Sequence, residues 1–500
     1  MIASSLTACL DGIQARQVEV EADIAAGLPS FAIVGLTDKA VQEARERVRS
    51  ALRNSGFGFP GHRLTVNLAP AELRKEGSAF DLAIAVAILR SCQQPGLDER
   101  LSSAGRSAFI GELGLDGSVR PVRGALALGS HLAALGVRRL YAPTANAGEA
   151  AGSGIPVHPV GQLTELVAHL RGETPIPAQP PAEIVHRLAL PEVDLAEIEE
   201  QAVPKRALEI AAAGGHHLLF TGPPGAGKSM LARAFAGLLP DLSVAESKEV
   251  TTIHSIAGVL RGGEMMRRPP LRSPHHSVSI AGLIGGGASF MPGDLTLAHR
   301  GVLVLDELPE FRRDCLEALR EPLEEGRFRV SRAGGTRVLP ADFVLLATAN
   351  PCACGVADAE ECRCAPDVLG RYQRKLSGPL RDRLDLIVQV GAVQLTRVRS
   401  RRLESETKPA RARVEAARER QASRQRPGVL NSAVAGAALG EICRLDGAAE
   451  TRLRSVSHQF GLTGRGFHGV LRVARSIADL EGHDRISTDD LLEACAFRLR

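Results

Sequence analysis

One eight-residue stretch, GPPGAGKS, constrains the fold of this chain more than any other feature. It fits the pattern G-x-x-x-x-G-K-S and lies between an apolar run, HLLFTG (217–222), and a segment of helical character. A loop of this pattern turns from a strand into a helix and presents successive backbone N–H groups to an anion. The sequence therefore predicts an α/β domain with a nucleotide phosphate site. The loop residues are Gly222, Pro223, Pro224, Gly225, Ala226, Gly227, Lys228 and Ser229.

Short apolar runs predict the sheet to which this loop belongs. From about residue 193 the runs GVLVLD (301–306), FVLLATA (343–349) and LIVQV (386–390) alternate with helical segments. Short buried strands separated by helices are typical of a parallel sheet covered on both faces. We expect ATP at the carboxyl edge of this sheet, where Lys228 would reach the β- and γ-phosphates and Ser229 would ligate Mg²⁺.

Polar side chains follow two of these predicted strands. Asp306 is the last residue of GVLVLD and Glu307 comes directly after it. Asn350 directly follows FVLLATA. Because the carboxyl ends of parallel strands meet at one edge, we expect all three beside the phosphate loop. Asp306 would complete the magnesium shell, and Glu307 would polarise the attacking water. The Asn350 amide would orient that water against the γ-phosphate.

Two arginines, Arg381 and Arg383, precede the last predicted strand within SGPLRDRLDL (377–386). A guanidinium that stabilises the charge of a transferred phosphoryl group is supplied in cis or by a neighbouring subunit. The alternative for either arginine is an ordinary surface salt bridge.

The chain divides into parts of different pattern. Its beginning is mixed α/β, four prolines between 171 and 184 indicate a linker, and the end is helical. The predicted elements of the first part are strands at 31–36, 64–70 and 108–115 and helices at 38–56 and 78–91. The predicted organisation is an N-terminal α/β domain over 1–170, a linker over 171–192, an ATPase core over 193–395 and a helical lid over 396–500.

Composition limits the partners of this chain. The net charge is only +4, so a polyanion would have to meet a local basic surface, and 3% aromatic residues disfavour a base-stacking platform for single strands. One basic stretch, 397–426, counts eleven Lys/Arg against four Glu, a net +7. No apolar run approaches the roughly 18–20 residues that span a bilayer, and the N-terminus lacks a signal-peptide pattern. We expect a cytoplasmic protein without a membrane partner.

The cysteines favour a metal site. The nine cysteines are an odd number, unlike a secreted disulfide framework, and four of them lie in NPCACGVADAEECRC (350–364) with the spacing C-x-C-x₇-C-x-C. Four thiolates complete a tetrahedral Zn²⁺ site, although C-x-C is tighter than the commoner gaps. Redox sensing and unliganded thiols are the alternatives. The predicted ligands are Cys352, Cys354, Cys362 and Cys364.

Arginines are concentrated in two further segments. The stretch RFRVSRAGGTRVLP (327–340) predicts a β-hairpin around Gly334-Gly335, and an insertion at 261–287 is also basic. We expect contacts to DNA phosphates that are sensitive to salt and independent of sequence. The alternatives are a solvated hairpin and, for the histidine pair of the insertion, a metal site. The residues concerned are Arg327, Arg329, Arg332 and Arg337 in the hairpin and Arg267, Arg268, Arg272, His275 and His276 in the insertion.

The motifs, taken in order, resemble an AAA+ ATPase of the magnesium-chelatase-like branch, and more narrowly the bacterial ComM/YifB family, over essentially the full length. The carrying stretches, besides those quoted above, are KEGSAFDLAIAVAIL (75–89), RSPHHSVSIAGLIGGG (272–287), PGDLTLAHRGVLVLDELPEF (292–311) and GRGFHGVLRVARSIADLEG (464–482). Thr463-Gly464 and Gly469 depart from the Ser-Ala and the basic residue that relatives often carry.

This resemblance implies a ring hexamer that works on DNA. Arg383 is the implied finger for a neighbour's site, with Arg381 as the alternative. Arg465 matches the second sensor arginine, with Arg472 as its alternative. ComM-like proteins resemble helicases that drive branch migration of recombination intermediates during natural transformation, with the arginine hairpin in the pore. We hypothesise that the cysteine cluster stiffens the connection between Asn350 and the subunit interface.

The N-terminal part resembles the catalytic domain of Lon proteases. Proteolysis of that type needs a serine activated by a lysine. Ala79 stands at the serine position and Leu126 at the lysine position, while Ser78 is displaced by one residue and Lys75 is expected to be structural or solvated. We therefore expect no peptidase activity.

Two other functions compete with a DNA motor. One is a magnesium-chelatase motor that remodels a partner, which the extra N-terminal domain, the cysteines and the hairpin disfavour. The other is an ATP-dependent protease or regulatory chaperone. Stimulation of ATP hydrolysis by forked or four-way DNA separates the DNA motor from the chelatase motor, and casein digestion tests the protease.

Overall fold

A computed structural model of the protein describes most of the chain. The described residues are 2–94, 106–180, 193–260, 264–286, 290–332, 335–352, 354–356, 362, 364–376, 380–391, 404–426, 428–460 and 462–498. Part of the predicted linker (181–192), the start of the predicted lid (396–403) and the side chain of Arg332 lie outside this description.

The first part of the chain is mixed α/β. Its main sheet has the order β1-β2-β4-β3, in which β3 and β4 run parallel and the other neighbours antiparallel, and a second, parallel sheet has the order β5-β8-β9. The elements are β1 (Ile2–Asp11), β2 (Gln14–Ala25), β3 (Ser30–Val34), α1 (Lys39–Asn54), β4 (Arg63–Ala69), α2 (Asp81–Ser91), β5 (Ser107–Phe109), β6 (Glu112–Leu113), β7 (Val119–Arg120), α3 (Ala125–Ala134), β8 (Arg139–Pro143), α4 (Ala147–Ala151), β9 (Val157–Val160) and α5 (Leu163–Arg171).

The predicted strand at 108–115 is interrupted at Gly111. There the backbone N–H donates to the carbonyl of Ala79, and the carbonyl of Gly111 accepts from Leu82. A Cβ on Gly111 would lie 2.8 Å from a Val119 methyl, and its φ of +157° lies outside the range that other residues favour. The apolar run AFIGELGL therefore forms two short strands, β5 and β6, around the start of α2.

The middle part contains a five-stranded parallel sheet with the order β11-β14-β17-β10-β18. The elements are α6 (Ala202–Gly214), β10 (Leu218–Thr221), α7 (Lys228–Leu238), α8 (Val244–Ala257), β11 (Leu271–Arg272), α9 (Ile280–Ile284), β12 (Gly285–Gly286), β13 (Met291–Pro292), α10 (Asp294–Leu297), β14 (Val302–Leu305), α11 (Arg313–Ala318), α12 (Arg320–Glu325), β15 (Arg327–Arg332), β16 (Gly335–Pro340), β17 (Val344–Ala349), α13 (Pro366–Leu376) and β18 (Leu386–Gln389).

Burial on both faces explains why these strands read as unbroken apolar runs. Every residue of β14 and β17 is buried. Along β14, Val302 and Val304 pack into one core cluster, and Leu303 and Leu305 pack into the cluster on the opposite face. Each buried Val or Leu side chain stabilises the fold by about 1.5–3 kcal/mol relative to exposure.

The last part of the chain is helical and packs on the sheet domain. Its helices are α14 (Thr407–Arg424), α15 (Ala438–Ile442), α16 (Gly447–Phe460), α17 (Gly464–Glu481) and α18 (Thr488–Arg498). Two arginines of α14 are paired with carboxylates of the core, since Arg411 lies 2.9 Å from Asp241 and Arg413 lies 2.5 Å from Glu209. Arg418 donates to the Ala212 carbonyl at 2.7 Å, and burial lowers its pKa to about 10.

A buried hydrogen-bond chain joins α17 to the sheet. His216 Nε2 lies 2.8 Å from the hydroxyl of Ser476, and His216 Nδ1 lies 3.2 Å from the carboxylate of Asp385. This is the order of groups in a hydrolase triad, but Ser476 and His216 are both 0% exposed. The chain therefore holds the helices to the sheet and offers no access to a substrate.

In the part of the chain that the structure describes, no helix combines the length and apolarity needed to cross a bilayer.

Candidate active site

The phosphate loop lies between β10 and α7, as its sequence predicts. Gly225 and Gly227 have φ values of +78° and +84°, which favour glycine, and nothing lies within 4 Å of a Cβ at either position. Gly222 is required for a different reason, because its Cβ would lie 2.3 Å from the carbonyl oxygen of Val390. The loop is therefore open toward solvent and tightly packed toward the sheet.

Lys228 connects this loop to the end of β17. Its Nζ donates to the carbonyls of Gly222 (2.8 Å) and Pro223 (2.7 Å) and to Oδ1 of Asn350 (3.0 Å). Burial lowers the pKa of Lys228, while the charges of Asp306 and Glu307 act in the opposite direction. The ammonium group thus lies between the loop and the predicted water-orienting amide.

Asp306 follows β14 and faces the same edge. Its Oδ2 accepts from the Ser229 hydroxyl at 2.9 Å, so the two predicted magnesium ligands are in contact. Its Oδ1 accepts from the hydroxyl of Thr348 at 2.5 Å. Thr348 was not among the predicted site residues, although its position two residues before Asn350 on a strand places it at this edge.

Glu307 occupies a strained backbone position. Its φ of 56° and ψ of 51° lie in the left-handed region, which non-glycine residues rarely adopt. Its side chain is 54% exposed, and Oε2 lies 3.9 Å from Nδ1 of His276. The histidine pair of the predicted insertion therefore includes a neighbour of the candidate catalytic carboxylate.

Helix α13 contacts the ends of two strands. The hydroxyl of Tyr372 donates to the backbone carbonyl of Asn350 at 3.1 Å, and Lys375 Nζ donates to the carbonyl of Pro309 at 2.6 Å. Burial raises the pKa of Tyr372 to about 12, so the phenol keeps its proton and donates. The sequence alone did not identify Tyr372 as a contact of Asn350.

The four predicted cysteine ligands come together just after Asn350. All four Sγ atoms lie within 4.8 Å of one another. The distances are 3.0 Å between Cys352 and Cys354 and 3.7 Å between Cys354 and Cys362. Zinc–sulfur bonds of about 2.3 Å in a tetrahedron separate the sulfurs by roughly 3.8 Å, which the Cys354–Cys362 distance matches, and the donors fit Zn²⁺ in number and chemistry.

The candidate finger and sensor arginines meet at one carboxylate. Arg383, in the short 3-10 helix Arg381–Arg383, and Arg465, in α17, each lie 2.5 Å from Oε1 of Glu324. Arg381 lines a cleft of about 150 Å³ together with Arg465 and Arg498. The alternative sensor, Arg472, instead donates to the Val434 carbonyl within the helical part at 2.7 Å.

The predicted arginine hairpin is formed by β15 and β16, and its arginines differ in their surroundings. Arg327 and Arg329 are exposed. Arg337 makes two contacts to the Asp11 carboxylate, at 2.9 and 3.0 Å, and its guanidinium lies 5.5 Å from the centre of the Phe290 ring. Asp11 belongs to the N-terminal part, so this hairpin strand is attached to another part of the molecule.

Three other predicted cations of the insertion, Arg267, Arg272 and His275, also have acidic or hydroxyl partners. Arg272 donates to Asp294 at 2.6 and 2.9 Å, and Arg267 to Asp241 at 3.1 Å. His275 Nδ1 lies 2.8 Å from the Ser277 hydroxyl, and its ring lies 4.0 Å from that of His276.

Of the Lon-like positions of the N-terminal part, Ser78 and Ala79 just precede α2, whereas Leu126 lies on a different helix. Leu126 is fully buried in α3. The hydroxyl of Ser78 donates to Glu112, and the buried amine of Lys75 donates to the carbonyl of Pro70. Burial lowers the pKa of Lys75. Each side chain thus has a partner of its own, and the absence of peptidase activity stays a prediction.

Sequence models of magnesium-chelatase proteins match each part of the chain. The model described as magnesium chelatase, subunit ChlI, matches residues 194–398. The model for subunit ChlI of Mg-chelatase matches residues 20–146, and the model for the ChlI C-terminal region matches residues 404–498.

Whole proteins are similar over nearly the full length. An uncharacterised protein of Mycobacterium tuberculosis is 45% identical over 494 residues, which cover 97% of this chain and 96% of that protein. The protein YifB of Escherichia coli is 39% identical over 498 residues, and the competence protein ComM of Haemophilus influenzae is 39% identical over 494 residues. Both alignments cover 97% of this chain and 95% of the relative.

Proposed function

The chain belongs to the magnesium-chelatase-like AAA+ family of ComM and YifB, and we propose that it is an ATP-driven hexameric DNA motor. In this proposal it promotes branch migration of recombination intermediates during natural transformation. The relation to a competence protein over nearly the whole chain supports the DNA part.

The observation that carries the ATPase activity is the cluster at the carboxyl edge of the sheet. Lys228 contacts Asn350, and Ser229 contacts Asp306, although these pairs are 122 and 77 residues apart in sequence. Lys228 and the loop amides would bind the β- and γ-phosphates. Mg²⁺, when bound by Ser229 and Asp306, neutralises phosphate charge. Glu307 accepts a proton from the attacking water, and Asn350 orients that water.

The candidate finger lies at the opposite edge of the sheet. Strands β10 and β18 run parallel, with Leu218 opposite Leu386 and Thr221 opposite Gln389. The phosphate loop follows the end of β10, whereas Arg381 and Arg383 precede the start of β18. Arg383 therefore serves the nucleotide of a neighbouring subunit in the ring, and Arg465, which shares Glu324 with it, lies at the same edge.

DNA is held through its phosphates by the hairpin formed by β15 and β16. Arg329 is exposed there, and Arg332 lies on the same strand. Arg337 and Arg272 can contact DNA only after they release the carboxylates of Asp11 and Asp294 and bind phosphate oxygens instead. Such contacts carry no sequence information, which suits a motor that moves on arbitrary sequence.

The four cysteines would hold Zn²⁺, and the bound ion would stiffen the connection from Asn350 to Arg381 and Arg383. Helix α13 begins two residues after Cys364 and returns Tyr372 to the Asn350 carbonyl. A rigid cluster at this place would let a change at Asn350 reach Arg383.

The test is ATPase and branch-migration activity on a four-way DNA junction. We expect Lys228→Ala and Glu307→Gln each to lower ATP turnover by about 100-fold or more and to abolish migration. Lys408→Ala and Glu419→Gln, two exposed positions on α14, are matched controls that should keep both activities. If Lys228→Ala and Glu307→Gln migrate junctions as well as wild type, the proposed mechanism is wrong.

A magnesium-chelatase remodelling motor is the second candidate, because the matching family models describe that enzyme's subunit. ATP hydrolysis that DNA does not stimulate, on either forked or four-way substrates, would favour this candidate over a DNA motor.

A further inference from the structure

We propose that Thr348 is a positioning residue for ATP hydrolysis, whose single hydroxyl sets the places of both Asp306 and Glu307. This inference rests on the proposed ATPase function and assigns to Thr348 a role in the same site.

The fold places Thr348 beside the two acidic residues. Strands β14 and β17 are parallel neighbours, and Leu305 lies opposite Ala347. The next position on each strand path is Asp306 and Thr348. Thr348 is 0% exposed, so bulk solvent does not reach its hydroxyl. A buried hydroxyl of this kind must find its hydrogen-bond partners within the protein.

The Thr348 hydroxyl acts both as a donor and as an acceptor, with one hydrogen bond to each of the two acidic residues. It donates its hydrogen to Oδ1 of Asp306 at 2.5 Å and accepts the backbone N–H of Glu307 at 3.0 Å. A hydroxyl has one hydrogen and two lone pairs, so it can make these two bonds at once. Valine and alanine have no side-chain hydrogen-bonding group, and asparagine is larger. None of them could make both hydrogen bonds within the same small volume.

The bond to Asp306 determines which oxygen faces the phosphate loop. Because Thr348 holds Oδ1, the other oxygen, Oδ2, is directed to the Ser229 hydroxyl at 2.9 Å. Loss of the Thr348 hydroxyl would let the carboxylate rotate away from Ser229. The two predicted magnesium ligands would then no longer be held together before the ion arrives.

The bond to Glu307 supports its strained backbone. At φ 56° and ψ 51° this residue has a conformation that its Cβ disfavours. The N–H···O bond to Thr348 fixes the peptide group that leads into it. The Glu307 side chain is thereby presented at the open edge near His276, and without the bond the turn could relax to a commoner conformation.

The test compares Thr348→Val, which keeps the shape and lacks the hydroxyl, with Thr348→Ser, which keeps the hydroxyl. We expect Thr348→Val to lower kcat by about 10- to 100-fold and to raise the Mg²⁺ concentration for half-maximal activity several-fold, while Thr348→Ser stays within about threefold of wild type. Binding of ATP in EDTA should be the same in all three proteins, since the loop and Lys228 are unchanged.

A matched control is Thr7→Val. Thr7 is also a fully buried strand threonine, and its hydroxyl has no hydrogen-bond partner among the described residues. This variant should keep wild-type ATPase and Mg²⁺ dependence. Where the Thr348→Val protein does not fold, Thr348→Ala removes the same hydroxyl and takes its place.

Two outcomes separate the inference from the function on which it rests. If the wild-type protein hydrolyses ATP and the folded hydroxyl-free variant keeps its kcat and Mg²⁺ dependence, the role of Thr348 is overturned while the ATPase stands. If the wild type hydrolyses no ATP with or without DNA, both proposals fail. An equal loss in Thr348→Ser and Thr348→Val would also overturn the role, because the hydroxyl would then not be the cause.

Discussion

The side chains at the carboxyl edge of the parallel sheet and the arginines elsewhere in the molecule differ in the partners that they have before a ligand binds. At the edge, Lys228 contacts Asn350 and Ser229 contacts Asp306, while the loop stays open. Elsewhere, several candidate functional arginines are bound to carboxylates of the same chain, namely Arg272, Arg337, Arg383 and Arg465. The edge is thus assembled before a ligand arrives, whereas those arginines must exchange a carboxylate for a phosphate.

Arg383 must exchange the Glu324 carboxylate for a phosphate of the neighbouring subunit's nucleotide. Replacing Arg383 by Ala should lower DNA-stimulated ATP turnover by about 10³-fold, because a finger guanidinium stabilises transition-state charge. Mixing Arg383→Ala subunits with Glu307→Gln subunits should restore part of the activity, since some sites then combine an intact Glu307 with a neighbour's intact Arg383. Arg381→Ala serves as the comparison. If Arg381→Ala alone causes the loss, the finger is Arg381.

The preassembled edge is tested by Asp306→Asn. The amide keeps the size of the side chain and removes the negative charge that would hold Mg²⁺, so we expect ATP turnover to fall by about 10²-fold. ATP binding in EDTA, measured by a fluorescent nucleotide, should change little. Turnover that stays near wild type at all Mg²⁺ concentrations would contradict the assignment of Asp306.

The connection between the two edges is tested at the cysteine cluster. We expect about one zinc per chain in the purified protein, and Cys352→Ser or Cys362→Ser should lose it and lower the Tm by a few °C. Metal analysis and thermal unfolding measure both effects, and Cys92→Ser, outside the cluster, should retain the zinc. Zinc-free protein with a normal ATPase would refute the cluster, and full assembly with DNA-coupled ATPase in both variants would refute the coupling.

The pair Arg337–Asp11 predicts a smaller effect of opposite sign. Asp11→Asn removes the carboxylate that competes with DNA phosphate, so DNA should bind up to about fivefold more tightly at low salt, the size of a surface ion pair. The salt dependence should steepen by about one counterion. Glu19→Gln, which removes an exposed charge from the neighbouring strand, is the control. Weaker DNA binding by Asp11→Asn would show that the pair supports the hairpin in its binding conformation.

Replacing Arg329, the exposed hairpin arginine, should change DNA affinity in the opposite direction. We expect Arg329→Ala to weaken DNA binding by a few-fold on every sequence and to reduce the salt slope by about one, as the loss of one phosphate contact does. Arg454→Ala, at an exposed position on α16, should leave the binding isotherm unchanged. A sequence-dependent loss would contradict purely phosphate-led contact.

Much of the fold and of the candidate site followed from the sequence because local patterns carried it. The predicted strands at 301–306, 343–349 and 386–390 appear as β14, β17 and β18, since strands covered on both faces of a parallel sheet form near-continuous apolar runs. The run at 108–115 was mistaken for a single strand, because the packing of α2 against Gly111 leaves no periodic signal. Thr348 was missed because a threonine within an apolar strand normally signifies only β propensity.

The class of fold, the family and the preassembled edge follow from local patterns in the sequence. Motifs at the ends of consecutive parallel strands must meet at one edge, so their spacing alone predicts that Lys228, Asp306 and Asn350 are neighbours. The partners of the charged residues outside that edge depend instead on tertiary packing. Arg337 and Asp11 are 326 residues apart, and Arg465 and Glu324 are 141 apart. An arginine can pair with any carboxylate that the fold brings within reach, and that choice depends on how the separate parts of the chain pack together.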